Sequence, residues 1–336
     1  MPYTSSPQSA PNTPDKTAEP VVLGVDVCKE RLDLALCDGR VLESVDFNPA
    51  GIKKVLALFG QHPIRLVIVE STGGLERPLL DALLDAGKPV ALVQPGRVRN
   101  FAHAGGELAK TDTIDALTLA RFGRLMAPRV LEKRPQKQAD LDALITCRRQ
   151  LLEVRTMQTN QKRLVTLKAA IKAIDAVLKT VETQIESLDQ KIRGLIDADD
   201  DLGDIDRLLQ SVPGVGPVAS ATVLASFNEL GKLDRGQTAA LLGVAPFNCD
   251  SGKRHGPRRI RGGRTDVRNV FYMAAISAMT WNPVIKAFAD RLKANGKVFK
   301  VIVTACMRKL AVLLNAMLRD GLTWDQLAVT KKLRPT

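Results

Sequence analysis

The chain has 336 residues, enough for two domains that each bury a core, and no apolar run is read as approaching the ~20 residues that cross a bilayer, so composition argues against a membrane protein. Its net charge of +13 is unevenly spread: residues 1–130 carry 15 basic and 15 acidic side chains, residues 131–205 carry 13 of each, and residues 206–336 carry 21 basic and 8 acidic. A neutral first part and a basic last part fit a nucleic-acid footprint, while the glycine- and proline-broken basic stretch does not fit an amphipathic membrane-surface helix.

In chain order, residues 1–20 (MPYTSSPQSAPNTPDKTAEP) are rich in Pro, Ser and Thr and read as a disordered tail, neither signal peptide nor anchor. Runs of β-branched and aliphatic residues then predict strands at 21–27, 32–37 and 41–47, with a tight Asp38-Gly39 turn between the last two. A helix at about 50–60, a strand at 65–70, a helix at 75–86 and a strand at 89–93 follow, and helical pattern covers 97–103 and 110–125. Hairpin-linked strands followed by alternating strand and helix predict an α/β domain over 21–130, with a mixed sheet flanked by helices in RNase H-like order.

Residues 136–198 lack glycine until Gly194, and leucine, isoleucine and valine recur mostly at three- and four-residue steps. This predicts a long helical pair or coiled coil over 131–205, serving spacing and self-association. The acidic run Asp197, Asp199, Asp200, Asp201 and Asp204 reads as a solvated linker. Residues 206–330 read as a mainly helical domain. Its segment DRLLQSVPGVGPVASATVLASF matches a helix-hairpin-helix, with Gly214 and Gly216 in a tight turn that brings backbone N–H groups close to a phosphate. A plain helix–helix turn is the competing reading. Five cysteines (Cys28, Cys37, Cys147, Cys249, Cys306) show no C-x-x-C spacing, which argues against zinc and for a reducing cytoplasm.

Two groups of residues carry candidate chemistry. Asp26 and Glu70 each close a strand, and Asp112 and Asp115 lie three apart on one helical face. Taken singly, each acid reads as a cap or a surface residue. As an ordered set converging on one point, they would repel unless cations lay between them, and two Mg²⁺ ions ~4 Å apart form the usual clamp for phosphodiester displacement. Lys29 and Lys110 flank these acids and are equally read as phosphate contacts or exposed structural lysines. Ser251 is the second candidate. It directly precedes Lys253, Arg254, His255, Arg258, Arg259, Arg261 and Arg264, cations suited to holding phosphorane charge, although composition alone makes it a loop serine. His255 reads as a phosphate donor ahead of a general base, and His62 and His103 read as structural.

Five segments in order resemble the transposases of the insertion-sequence 110 family: GVDVCKE around Asp26, VIVEST around Glu70, KTDTIDA around Asp112 and Asp115, SVPGVGPVAS at 211–220, and DSGKRHGPRRIRGGRTDVRNVFYMAA at 250–275. The resemblance runs from about Val21 to about Leu327. It implies a RuvC-like (RNase H-type) domain whose DEDD carboxylates are Asp26, Glu70, Asp112 and Asp115, with Asp26 bridging two Mg²⁺ ions. It also implies a C-terminal domain in which Ser251 is the nucleophile, leaving a covalent phosphoserine and a free 3′-OH. Asp33, on the second strand, is off this pattern. Cys249 stands where family members commonly have arginine, which weakens one phosphate contact but leaves the nucleophile in place. The implied partners are donor and target DNA, a structured guide RNA from the element itself, and further copies of the chain as a dimer or tetramer. The implied setting is a bacterial, nucleoid-associated cytoplasm. The alternative reading is a RuvC-like metal-dependent junction nuclease that makes no use of Ser251.

Overall fold

The computed structural model describes residues 19–106, 112–248, 250, 256 and 258–329, and the side chains of residues 112–114 and 328–329 lie outside that description. The chain forms two compact units, the first ending at Arg134 and the second beginning at Pro135.

In the first unit the elements are β1 (Val21–Val27), β2 (Arg31–Leu36), β3 (Val45–Asp46), α1 (Pro49–Gln61), β4 (Ile64–Glu70), α2 (Arg77–Asp85), β5 (Val90–Val93), α3 (Pro95–Ala104) and α4 (Asp112–Met126). The sheet order is β3-β2-β1-β4-β5, with β2 antiparallel to both its neighbours and β4 and β5 parallel to β1. This is a mixed sheet consistent with the expected RNase H-like order. Alternation along the strands sorts the side chains. Leu23, Val25, Leu32, Leu34, Val67 and Val69 pack with Val55 of α1 and Leu79 and Leu83 of α2. Val22, Leu66, Ile68, Ala91 and Val93 face the other way, onto Val98 of α3 and Leu119 and Phe122 of α4. Burial on both faces is why the strands read as continuous apolar runs.

The third strand is shorter than its sequence predicts. Beyond β3, residues 41–47 contribute only a bridge between Val41 and Ala35. In this edge segment Leu42, Val45 and Phe47 are only half-buried against the core, and Val41, Glu43, Ser44 and Asp46 are exposed.

The second unit comprises α5 (Gln136–Lys162), α6 (Lys168–Asp197), α7 (Asp200–Gln210), α8 (Pro217–Ser226), α9 (Arg235–Leu242), β6 (Pro246–Phe247), β7 (Arg259–Ile260), α10 (Thr265–Trp281), α11 (Pro283–Ala294), α12 (Phe299–Asp320) and α13 (Trp324–Val329). Helices α5 and α6 form an antiparallel pair, laced by Arg148–Asp189 and Lys162–Asp175. Val181, Ile185, Leu188, Ile192 and Ile196 make a buried stripe on α6. Leu141, Ile192 and Ile196 enter the core shared with α8, α10 and α12. The pair is therefore part of the C-terminal unit, where the sequence suggested a separate linker segment. Only its far end leaves large apolar side chains exposed, at Met157, Leu164, Leu167 and Val177.

Two further readings need correction. The acidic run is no open linker: Asp199 caps α7 by accepting a hydrogen bond from Leu202 N at 3.1 Å, and it pairs with Lys137. Asp200 and Asp201 then occupy the first turn, where negative charge complements the helix dipole. An apolar stretch of spanning length also exists. By length and composition α12 is long and apolar enough to cross a membrane. Here Ile302, Val303, Cys306, Leu310, Leu314 and Met317 of that helix are buried in the core of the C-terminal unit.

Candidate active site

The turn after β1 sets the position of its acids. Cys28 N donates to Arg31 O at 3.0 Å, closing a two-residue Lys29-Glu30 loop. That loop length pairs Asp26 directly with Asp33 across β1 and β2. On the other side of β1, the parallel register pairs Val25 with Val69, so one step further Asp26 is level with Glu70. All three acids share the sheet face of Val22 and Ile68, the face covered by α4. Strands lie about 4.8 Å apart, so three carboxylates stand in a row across adjacent strands, at the carboxyl ends of β1 and β4.

Two glycines let α4 come down onto this row. A Cβ on Gly24 would lie 2.0 Å from Ala116 O and 2.5 Å from Ala120 N, and one on Gly123 would lie 2.3 Å from Ile68 Cγ1 and 2.8 Å from Val22 Cγ1. Going from residue 116 to 123, the helix passes from Gly24 back toward Val22, so it runs against β1. Two strand residues span roughly 6.6 Å, or four to five helical residues, so the turn level with Asp26 is the first one, where Asp112 and Asp115 lie. Asp115 is half-buried. Asp112 opens the helix, and its side chain is outside the described residues, as is Lys110.

Among the described residues, Asp26, Cys28 and Asp33 offer possible ligand atoms that lie within 4.8 Å of one another. Glu70 and Asp115 do not enter that group. Cys28 Sγ lies 3.9 Å from Asp26 Oδ2. Asp33 is buried and accepts hydrogen bonds from Arg31 Nε at 2.9 Å and from Ser44 Oγ.

The loop after Glu70 is held by a residue absent from the sequence expectations. Glu76 is 5% exposed, and one of its oxygens accepts from Thr72 Oγ1 at 2.6 Å, Gly74 N at 2.9 Å and Thr72 N at 3.2 Å. Burial pushes its pKa up, but the Thr72 hydroxyl and the backbone donors prevail, and it lies below its ordinary value. The signal was present as a glutamate two residues past Gly-Gly, ready to fold back over the turn.

In the C-terminal unit, β6 and β7 pair Phe247 with Arg259 and Pro246 with Ile260. Ser251, Lys253, Arg254, His255 and Cys249 belong to the segment between these strands and lie outside the described residues. Of the rest of the basic run, Arg258, Arg259 and Arg261 are exposed. Arg264 is occupied otherwise than the sequence reading supposed. Its guanidinium makes a two-pronged bond to the Glu229 carboxylate, donates to Ser226 O at 2.6 Å and stacks over Phe227 at 5.7 Å. It anchors the start of α10, an internal role that involves no phosphate.

Helices α7 and α8 are joined by the predicted turn, with Gly214 at φ +102°. A Cβ there would lie 2.6 Å from the Ala278 backbone on α10, so helix packing accounts for this glycine. Gly216 is exposed and caps α8, whose first residue is Pro217.

A mixed sheet in RNase H-like order with acids level on adjacent strands is the arrangement of enzymes that act on nucleic-acid strands. Comparison with known proteins narrows the class. A transposase family model of the DEDD insertion-sequence 110 type matches residues 23–169, and a model described as the transposase IS116/IS110/IS902 family matches residues 206–290. The chain belongs to the insertion-sequence 110 family of transposases and is a DNA recombinase. It is similar to the pilin gene-inverting protein of Moraxella bovis, with 25% identity over 90% of this chain and 97% of that protein. It is also similar to the transposase for insertion sequence element IS1111A of Coxiella burnetii, with 23% identity over 69% and 70% of the two chains. A 43.6 kDa protein of insertion element IS110 from Streptomyces coelicolor is 27% identical over 48% of this chain and 39% of its own length. DNA is thus the substrate, and the DEDD family carries a dependence on divalent metal.

Proposed function

We propose that this transposase cuts and rejoins DNA with a carboxylate-held Mg²⁺ pair and a serine nucleophile, under the guidance of a structured RNA from its own element. The observation that carries the reading is the level row of Asp33, Asp26 and Glu70 beneath the first turn of α4. Hard oxygen donors suit Mg²⁺, and carboxylates level on adjacent strands can supply them. Asp26, Glu70, Asp112 and Asp115 would hold the ions, with Asp26 shared. When bound, the metal would neutralise charge on the phosphate oxygens and favour ionisation of an attacking hydroxyl.

Ser251 Oγ attacks the scissile phosphorus. The Oγ–P bond forms, the P–O3′ bond breaks, the serine proton leaves to a base, and the departing O3′ is protonated. Rejoining reverses these steps, with a 3′-OH from another strand displacing the serine. Lys253, Arg254, His255, Arg258, Arg259 and Arg261 neutralise phosphate charge around the reacting centre. The turn at Gly214 and Gly216 contacts DNA backbone through the start of α8. The support for Ser251 and for the guide RNA is the family resemblance together with the basic excess in residues 206–336.

The chain acts as a dimer or tetramer in a bacterial cytoplasm, and Met157, Leu164, Leu167 and Val177 at the end of the α5–α6 pair are the surface a second copy would cover. Light scattering that finds a monomer at high micromolar concentration, with and without nucleic acid, would remove that part. The test of the carboxylate centre is Asp26→Ala or Glu70→Ala. Each should abolish strand cleavage in Mg²⁺ while leaving nucleic-acid binding largely intact, and cleavage at the wild-type rate would refute the centre.

A further inference from the structure

The C-terminal unit carries a groove of about 730 Å³ between α9, α11, α12 and α13. Five cations line it: Arg235, Arg291, Arg308, Lys309 and Arg319. Arg319 is offset by Asp320, whose Oδ1 lies 3.0 Å from its Nε. Among the described residues, the other four make no ion pair with a carboxylate. Two of them are pressed together. The Arg291 guanidinium lies 5.4 Å and the Lys309 ammonium 4.5 Å from the centre of the same Phe288 ring. Burial, and then the Arg291 charge, lower the pKa of Lys309 below its ordinary value.

A ring that gathers two cations with no acid between them is a site that an anion relieves. Its extent decides what kind of anion. On α12 the cations of the groove run from Arg308 to Arg319, eleven residues apart or roughly 16 Å. At ~3.4 Å of rise per nucleotide, that is the length of about five nucleotides, too long for a single phosphate. Val312, Leu313 and Ala316 give the groove an apolar floor along which the cations stand.

We propose that this groove binds the phosphodiester backbone of one nucleic-acid strand, using residues other than those of the basic run before α10. The proposal rests on the chain's action on nucleic acid and is independent of the serine and metal chemistry.

The test uses the full-length protein and fluorescence anisotropy with two probes, a labelled DNA duplex and a labelled structured RNA, titrated across salt. Arg291→Gln and Lys309→Gln combined should weaken binding of at least one probe about tenfold or more and reduce its log K against log salt slope by about two units. Loss with the duplex alone assigns the groove to DNA, and loss with the RNA alone assigns it to RNA. An unchanged slope with both probes overturns the proposal. Reductive methylation of the wild-type protein gives a second readout that needs no variant. Lys309 should be protected by the bound probe, and equal labelling with and without both probes would equally overturn it. The outcome is separable from the carboxylate reading, because Asp26→Ala should keep the wild-type salt slope in the same titration.

Discussion

Asp26 and Asp33 stand directly opposite each other in the β1–β2 ladder, on the face that α4 covers. Like charges at paired positions destabilise a sheet. Arg31 and Ser44 offset the charge on Asp33 from the side. A cation held at Asp26 would also feel the Asp33 charge across the ladder. Asp33→Asn is therefore expected to weaken Mn²⁺ binding, followed by electron paramagnetic resonance. It should also cost about 1–3 kcal/mol of stability through the broken Arg31 pairing. Unchanged Mn²⁺ affinity would leave Asp33 as a partner of Arg31 alone.

Gly24→Ala tests whether the close seat of α4 matters. The new methyl group would fall on Ala116 O, so the helix must shift and carry the Asp112–Asp115 turn with it. The expected result is a loss of roughly 1–3 kcal/mol in urea unfolding, together with a large fall in cleavage rate. Full activity in a protein of reduced stability would show that the helix position is not critical.

The strands that carry Asp26 and Glu70 were legible because both sheet faces are covered, which makes β1 and β4 unbroken apolar runs. Asp33 was not. Its relation to Asp26 depends on a loop of two residues, and an apolar pattern does not count loop residues. The acids at Asp199 to Asp201 misled for a related reason: composition sees a charged run, whereas a helix start uses the first acid as its cap and the next two against its dipole. Arg264 looked like one more member of a basic run, and only the fold supplies Glu229 as its partner, 35 residues away in sequence.

Glu76 gives a pH signature. Its folded pKa is depressed below the ordinary 4.5, so its contribution is fully present above that value and is lost as pH falls through the folded pKa. Urea unfolding between neutral and acid pH should show wild type losing stability faster than Glu76→Gln below about pH 4.5, with the variant less stable at neutral pH. Parallel curves would contradict the proposed hold of Glu76 on the 72–74 turn.

Arg264 and its neighbours should separate cleanly. Arg264→Ala leaves Glu229 without its two-pronged partner and should cost about 1–3 kcal/mol, with little change in the salt dependence of DNA binding. Alanine at Arg258, Arg259 and Arg261 should leave stability nearly unchanged and lower the salt slope by about one unit for each arginine that pairs with a phosphate. The reverse pattern, a stable Arg264 variant with a flattened slope, would return Arg264 to the phosphate-binding set.

The central claim is that Ser251 becomes covalently joined to DNA. Denaturing gels of labelled DNA, quenched during the reaction, measure it directly. Wild-type protein should yield a protein–DNA adduct through the 5′-phosphate of one fragment, with a free 3′-OH on the other fragment of the cut strand. Ser251→Ala should bind DNA yet form neither adduct nor recombinant product, and Ser251→Cys should retain a trace, since a thiolate is also nucleophilic. An adduct or normal recombination from the alanine variant would contradict the account and leave a metal-dependent junction nuclease in its place.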